Sequence, residues 1–143
     1  MDGISEAICR SKAKVVYNCN LVNKKGHTEK FDLDDYANDI NKYIGKERID
    51  FATFNTKIPG KKLIKKYENQ KNPLVKFDCK KNPDRNFRVV QADFLSGKNI
   101  LFDKADKISG VRSFIRHDSE KLAKILVMIM ELGDYENIIK NII

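Results

Sequence analysis

Residues 15–22 read VVYNCNLV, residues 23–27 read NKKGH and residues 30–33 read KFDL. The first segment alternates in side-chain character with a period of two, which is typical of a β-strand. Gly26 in the second segment can adopt the positive φ that a hairpin turn needs. Together the three segments predict a β-hairpin, in which the chain returns alongside its first strand.

A helix is predicted directly after this hairpin. Asp34 and Asp35 sit where a helix N-terminus favours negative charge, and Gly45 is a suitable C-terminal stop. The helical spacing predicts burial of four apolar side chains: Tyr36, Ile40, Tyr43 and Ile44. A second helix of about two turns is predicted at residues 61–69. Further strands are predicted at residues 48–56, 74–79, 87–94, 100–103 and 110–115, with a hairpin turn at 96–99.

The C-terminal part is predicted to contain a pair of helices. The first, capped by Asp118 or Ser119 and ended by Gly133, is apolar nearly all round and so is expected to be buried on several sides. The apolar content of the pair favours a homodimer held together by these helices. The sequence as a whole predicts an α+β fold in a single domain, residues 1–143. That domain has a mostly antiparallel sheet of about five or six strands, a central helix and a C-terminal helical pair.

The positive charge of the chain is concentrated in residues 56–90, which we call the basic block. It holds eleven Lys or Arg residues and three acidic residues, so its excess equals the formal net charge of +8 of the whole chain. Aromatic residues alternate with these charges. Concentrated positive charge indicates an anionic partner. In nucleic-acid-binding proteins, Lys and Arg side chains bind phosphates and aromatic side chains stack on unpaired bases.

The basic block therefore predicts a small, non-catalytic nucleic-acid-binding protein. The lysines and arginines would contact phosphates, and Tyr67 or Phe87 would stack on bases. The complete set of expected contact residues is Lys61, Lys62, Lys65, Lys66, Tyr67, Lys76, Lys80, Lys81, Arg85, Phe87 and Arg88. The abundance of Lys, Asn and Ile indicates an AT-rich genome, such as that of a virus, a parasite, a low-GC bacterium or a mobile element.

Two other functions are compatible with the sequence. In the first, the same basic surface binds an acidic protein or an anionic lipid surface, as in an interaction or inhibitor protein. In the second, Arg112 and His117 act in catalysis, because their Arg-x4-His spacing resembles the catalytic motif of HEPN-type ribonucleases. That resemblance implies an acid–base role for the histidine at a 2′-hydroxyl.

Metal, cofactor and targeting signals are not expected. The three cysteines and two histidines lack the short spacings of a zinc site, and no cofactor motif is present. No apolar run has the length of a membrane span, and the N-terminus does not resemble a signal peptide. These features predict an intracellular protein, in the cytoplasm or the nucleus.

Overall fold

The computed structural model describes residues 3–97 and 115–140. Strands and helices alternate along the chain as far as the third strand, which is the order expected of a parallel α/β fold. The elements are α1 (Ile4–Arg10), β1 (Val16–Asn18), α2 (Leu33–Ile44), β2 (Phe51–Asn55), α3 (Lys61–Asn69), β3 (Arg88–Ala92) and α4 (Ser119–Lys140). By contacts between Cα atoms the chain divides into two compact units, Met1–Asp93 and Phe94–Ile143. The single domain stays a prediction, and each unit is described by itself.

The described sheet has three strands in the order β1-β2-β3, and both pairs are parallel. The predicted mostly antiparallel sheet of five or six strands is therefore wrong. The centre of β2 shows why: Phe51, Ala52 and Thr53 are 7%, 0% and 1% exposed in succession. A central strand of a parallel sheet is covered on both faces, so its sequence does not alternate. The fold is α/β and Rossmann-like.

The predicted N-terminal hairpin is also wrong. The strand ends at Asn18, residues 25–30 form turns, and α2 begins at Leu33. The cause lies in the side chain of Asp32, which accepts a hydrogen bond from the backbone N–H of Asp35 at 3.0 Å. The Asp35 carboxylate accepts one from the N–H of Asp32, also at 3.0 Å. This capping box starts a helix where a returning strand was expected.

Helices α2 and α3 confirm the periodicity of the sequence. α2 ends at Ile44, and Gly45 follows with φ 81° as the left-handed C-terminal residue. α3 has the predicted bounds, Lys61–Asn69. One detail of α2 is wrong, since Tyr43 is 83% exposed and not buried.

The core of the first unit lies between α2 and the sheet. Phe54, Phe77 and other half-buried apolar residues pack around it. Burial of apolar side chains from the sheet, from α2 and from the loops between elements gives the main stabilising contribution. The buried members are Cys19, Leu33, Tyr36, Ala37, Ile49, Ala52, Val75 and Phe87.

The segment predicted as a strand at residues 74–79 forms single bridges only. Leu74 pairs with Val22 in antiparallel orientation, and Lys76 pairs with Asp32 in parallel orientation. The segment thus pairs with two different parts of the chain, through one residue in each case, and does not form a continuous β-ladder. The predicted strand at 87–94 is observed as β3 at Arg88–Ala92. The predicted strand at 100–103 and nearly all of the one at 110–115 lie outside the described residues.

The second unit contains α4, which runs from Ser119 to Lys140 as one helix. The predicted helical pair is therefore wrong, because the helix continues through Gly133. Asp118 caps it as predicted, accepting hydrogen bonds from the N–H groups of Glu120 and Lys121, both at 3.1 Å. None of the helices in the described segments combines the length and apolarity that crossing a membrane requires.

Candidate functional site

The topology of the sheet points to the carboxyl ends of its strands. In open parallel α/β sheets, ligands bind just beyond the carboxyl ends of the strands. β1 and β2 are neighbours, and both end at this edge. The N–H of Cys19 donates to the carbonyl of Thr53 at 3.3 Å, and the N–H of Thr56 donates to that of Ala92 at 2.9 Å. These bonds fix the residues that leave the sheet.

A cleft of about 190 Å³ opens at this edge, and we call it the strand-end cleft. Polar groups come from the residues after both strands, and an apolar wall comes from Leu74 and Val75. Ile58, which is 73% exposed, stands at the same cleft. The lining residues are Asn20, Leu21, Phe54, Asn55, Thr56, Lys57, Ile58, Leu74 and Val75.

The turn after β2 is held by the side chain of Asn55. Its Nδ2 donates to the carbonyl of Lys57 at 2.7 Å, and its Oδ1 accepts from the N–H of Lys57 at 3.3 Å. The ammonium of Lys57 lies 3.9 Å from the Asp93 carboxylate. Both side chains of that pair are well exposed, so the pair is weak and an anionic ligand can compete for the lysine.

A larger cleft of about 740 Å³, to which Leu74 also contributes, is called the loop cleft. One wall comes from the loop before α2, and the other from the segment that carries Lys76. Two backbone bonds join these walls: Asn23 N–H to Pro73 O at 2.8 Å, and Leu33 N–H to Lys76 O at 3.0 Å. The lining residues are Asn23, Glu29, Lys30, Phe31, Asp32, Pro73, Leu74, Lys76, Phe77 and Asp78.

Arg85 anchors the loop of residues 78–86 to the first turn of α2. Its Nε and Nη2 each donate to the Asp34 carboxylate at 3.0 Å. Both side chains are buried, with 12% and 6% exposed. The hydrogen bond to Asp34 raises the pKa of Arg85. The guanidinium also lies 4.9 Å from the ring centroid of Phe77, so it fixes one wall of the loop cleft.

Lys81 forms a second ionic contact between this loop and α2. Its ammonium donates to the Asp32 carboxylate and lies 4.0 Å from that of Asp35. Burial acts to raise the pKa of Asp32, but the hydrogen bonds from Lys81 and the Asp35 N–H outweigh it. The net result is a lowered pKa, and Asp32 stays ionised.

Two titratable groups beneath the sheet edge are held neutral. Burial is the largest cause that raises the pKa of the Cys19 thiol to about 12. Burial likewise raises the pKa of Tyr17. A thiol with this pKa remains protonated at neutral pH, so Cys19 is a core residue and not a nucleophile.

The residues predicted to contact nucleic acid lie in several different elements and loops of the structure. Lys61, Lys62, Lys65 and Lys66 lie on α3, and Lys80 is exposed in the loop of residues 78–86. Lys81 and Arg85 are engaged by carboxylates of α2, Lys76 lines the loop cleft, and Arg88 begins β3. Tyr67 and Phe87, the two residues expected to stack on bases, are only 6% and 7% exposed and belong to the buried part of the chain.

Only one member of the predicted ribonuclease pair, His117, lies within the described residues. Arg112 lies outside them. His117 pairs with Leu95 in an antiparallel bridge, and its ring lies 6.5 Å from that of Phe94. No group of His, Cys, Asp and Glu side chains with metal-binding geometry occurs in the described parts of the chain.

Sequence reasoning missed the residues of the strand-end cleft. Asn20, Asn55 and Lys57 carry no motif. The signal that could have found them is the strand–helix–strand order of residues 16–55, which predicts a parallel pair with its ligand site after each strand. The hairpin interpretation of residues 15–33 concealed that order.

A family model described as 2-phospho-L-lactate transferase CofD matches residues 1–95. The gluconeogenesis factor of Bacillus subtilis is 26% identical over 128 residues. Proteins from Clostridium acetobutylicum and Thermotoga maritima carry that name provisionally and are 31% and 30% identical over 124 and 126 residues. The alignments cover 87–90% of this chain but only 25–37% of the relatives. The chain thus spans about a quarter to just over a third of their length.

A crystal structure of a UPF0052-family protein from Bacillus halodurans has the same fold. The TM-score is 0.72 at 21% identity, over 88% of this chain and 36% of that one. This similarity supports the parallel α/β architecture and corrects the α+β prediction.

These relationships overturn the predicted functions. The family model is described as a transferase of 2-phospho-L-lactate. The bacterial proteins similar to this chain are named gluconeogenesis factors, some of them provisionally. Nucleic-acid binding, the acidic-partner and ribonuclease alternatives, and a viral origin are therefore wrong, and a nuclear location has no support. The basic block was misleading because Lys81 and Arg85 serve to hold a loop. With residues 1–95 matched to that model, the chain belongs to the CofD family.

Proposed function

We propose that this chain forms part of the small-molecule site of a CofD-type protein. Its strand-end cleft binds the anionic end of a phosphorylated small carboxylic acid, of the kind named in the family description. The observation that supports this most is the position of Lys57. The side chain stands at the carboxyl edge of a parallel sheet, in a cleft that Asn20, Asn55 and Thr56 also line.

The cleft has the chemistry that such a ligand needs. A lysine ammonium provides a point charge for phosphate or carboxylate, and the amide and hydroxyl side chains donate hydrogen bonds. Ile58 and Leu74 provide apolar contact for a short carbon skeleton. A lining that sets a few polar groups against an apolar wall is typical of a metabolite site.

The role of the relatives suggests the setting. Since they are named gluconeogenesis factors, we propose that this protein acts on or responds to a phosphorylated intermediate of central carbon metabolism. It would do so inside a bacterial cell, in the cytoplasm.

Isothermal titration calorimetry with 2-phospho-L-lactate tests the proposal. Lys57→Gln should weaken binding about tenfold, because it removes a charge-assisted hydrogen bond. Lys65→Gln is the matched control, since Lys65 is also exposed but lies on α3, outside both clefts. Equal affinity of the parent and the Lys57→Gln variant would contradict the proposal.

A further inference from the structure

We propose that the loop cleft is a second ligand site, for a small organic anion with negative charge attached to an apolar skeleton. The ligand class is either a phosphate monoester or a dicarboxylate, which share this chemistry. Lys30 and Lys76 would bind its anionic groups from the two walls. This site is separate from the strand-end cleft and does not depend on the function proposed for it.

The cleft has the dimensions of a ligand site. Its volume of about 740 Å³ lies within the range of about 300–1,000 Å³ that is usual for metabolite and cofactor pockets. Its walls are joined by backbone hydrogen bonds at both Pro73 and Lys76, so their separation is set by the fold. A site of fixed width requires little ordering when it binds a ligand.

The carboxylates that line the cleft already have donors from the protein. Glu29 accepts from the N–H of Gly26 at 2.9 Å, and Asp78 accepts from the N–H of Lys80 at 2.9 Å. Asp32 caps α2 and accepts from Lys81. Asp32 is thus ion-paired with a lysine from outside the lining, whereas Glu29 and Asp78 are held by backbone N–H groups.

Unlike the carboxylates, the two lysines that line the cleft, Lys30 and Lys76, have no partner for their ammonium groups within the described residues. Lys30 and Lys76 are exposed, and neither ammonium has an ion pair or a hydrogen bond to any side chain or backbone group in residues 3–97 and 115–132. One comes from the loop before α2 and the other from the segment after Pro73, and both line the cleft. Two ammonium groups without an ion pair can bind the anionic groups of one small ligand.

The lining of the loop cleft also includes apolar residues. Phe31 and Phe77 line the cleft, and each ring is held by an aromatic neighbour. The Phe31 ring lies 5.2 Å from that of Tyr36, and the Phe77 ring lies 5.4 Å from that of Phe54. Rings that are fixed in this way offer a preformed contact for carbon atoms, which a bare inorganic ion would leave unused.

The experiment is calorimetric titration of the full chain with phenyl phosphate, terephthalate and inorganic phosphate. At least one of the two organic probes should bind, and the stronger of them identifies the ligand class. Inorganic phosphate should bind at least tenfold more weakly than that probe, because it cannot contact the rings. Equal binding of inorganic phosphate, or no binding of either organic probe, would overturn the proposal.

Variants locate the site. Lys30→Gln and Lys76→Gln should each weaken binding of the organic probe about tenfold. Lys25→Gln is the matched control, because Lys25 is exposed in the same loop but does not line the cleft. Weaker binding in Lys30→Gln and Lys76→Gln, with no change in Lys25→Gln, places the probe in the loop cleft. If only Lys57→Gln weakens binding, the loop cleft is not the site.

Discussion

At the scale of single residues, the ion pair between Arg85 and Asp34 joins the loop of residues 78–86 to α2. Two hydrogen bonds of 3.0 Å join side chains that are 12% and 6% exposed. Removing one member leaves the other charge buried and unpaired, which is more costly than losing an exposed pair. From sequence alone Arg85 was indistinguishable from the other cations of the basic block, since its partner lies 51 residues away.

We expect Arg85→Met to lower the free energy of unfolding by about 3 kcal/mol, because the buried Asp34 carboxylate loses its cationic partner. Urea denaturation followed by circular dichroism measures this change. Lys80→Met, an exposed cation in the same loop, should change stability by less than about 0.5 kcal/mol. The double variant Asp34→Asn/Arg85→Met should lose less than the sum of the two single variants. Additive losses would contradict the pairing.

Tyr17 and Tyr36 make a second comparison at this scale. The Tyr17 hydroxyl is buried and has no hydrogen-bond partner within the described residues, whereas the Tyr36 hydroxyl lies 2.8 Å from Asn23 Oδ1 and 2.8 Å from Thr28 Oγ1. Tyr17→Phe should therefore be neutral or stabilising, by up to about 1 kcal/mol. Tyr36→Phe should cost about 1–2 kcal/mol, because it leaves a buried acceptor unsatisfied. Equal losses in the two variants, measured by urea denaturation, would show that Tyr17 has a partner.

At the scale of elements, α2 contributes buried residues to the core, and its N-cap residue, Asp32, lines the loop cleft. Its length and its end at Gly45 follow from local signals, an apolar spacing and a positive φ, so both were predictable. Its start was not. The capping role of Asp32 is a local motif, but residues 30–33 are equally compatible with a strand when read after an apparent hairpin turn. The choice depends on the parallel pairing of β1 with β2, which is not local.

Asp32, the N-cap residue of α2, makes the stability of the fold depend on pH. Because the folded-state pKa of Asp32 is lowered, its ionised form stabilises the fold above the unfolded-state pKa of about 3.9, and this contribution is lost as the pH falls through the folded-state value. Asp32→Asn removes the charge but keeps a good N-cap. We expect the variant to be less stable than the parent at pH 7 and the difference to shrink towards pH 2. Urea denaturation at several pH values tests this, and a difference that is constant with pH would contradict it.

At the scale of the whole molecule, the predicted fold differs from the observed one in the direction of strand pairing, which is parallel and not antiparallel. Strand positions near residues 51–55 and 88–92 were predictable from composition, but their direction was not, since parallel partners are joined by helices and loops and not by a turn. The charge of the basic block is also a property of the folded molecule. The sequence locates it within 35 residues, whereas the fold assigns Lys81 and Arg85 to ionic anchors and Lys76 to a cleft.

The prediction of a single domain belongs to this scale. We expect residues 1–143 to unfold in one cooperative transition. Urea unfolding monitored by amide resonances assigned in each compact unit, Met1–Asp93 and Phe94–Ile143, provides the measurement. Coincident midpoints are the expected result. Two separate midpoints would show that the units are independent domains.

The central claim is that ligands bind at the carboxyl edge of the parallel sheet. Its most direct test is a ¹H–¹⁵N correlation spectrum of the labelled chain, titrated with 2-phospho-L-lactate. We predict saturable shifts in the amides of Asn20, Leu21 and residues 55–58, which line the strand-end cleft. The amides of α3 beyond its first turn should not move. No shifts, or shifts confined to α3, would contradict the claim.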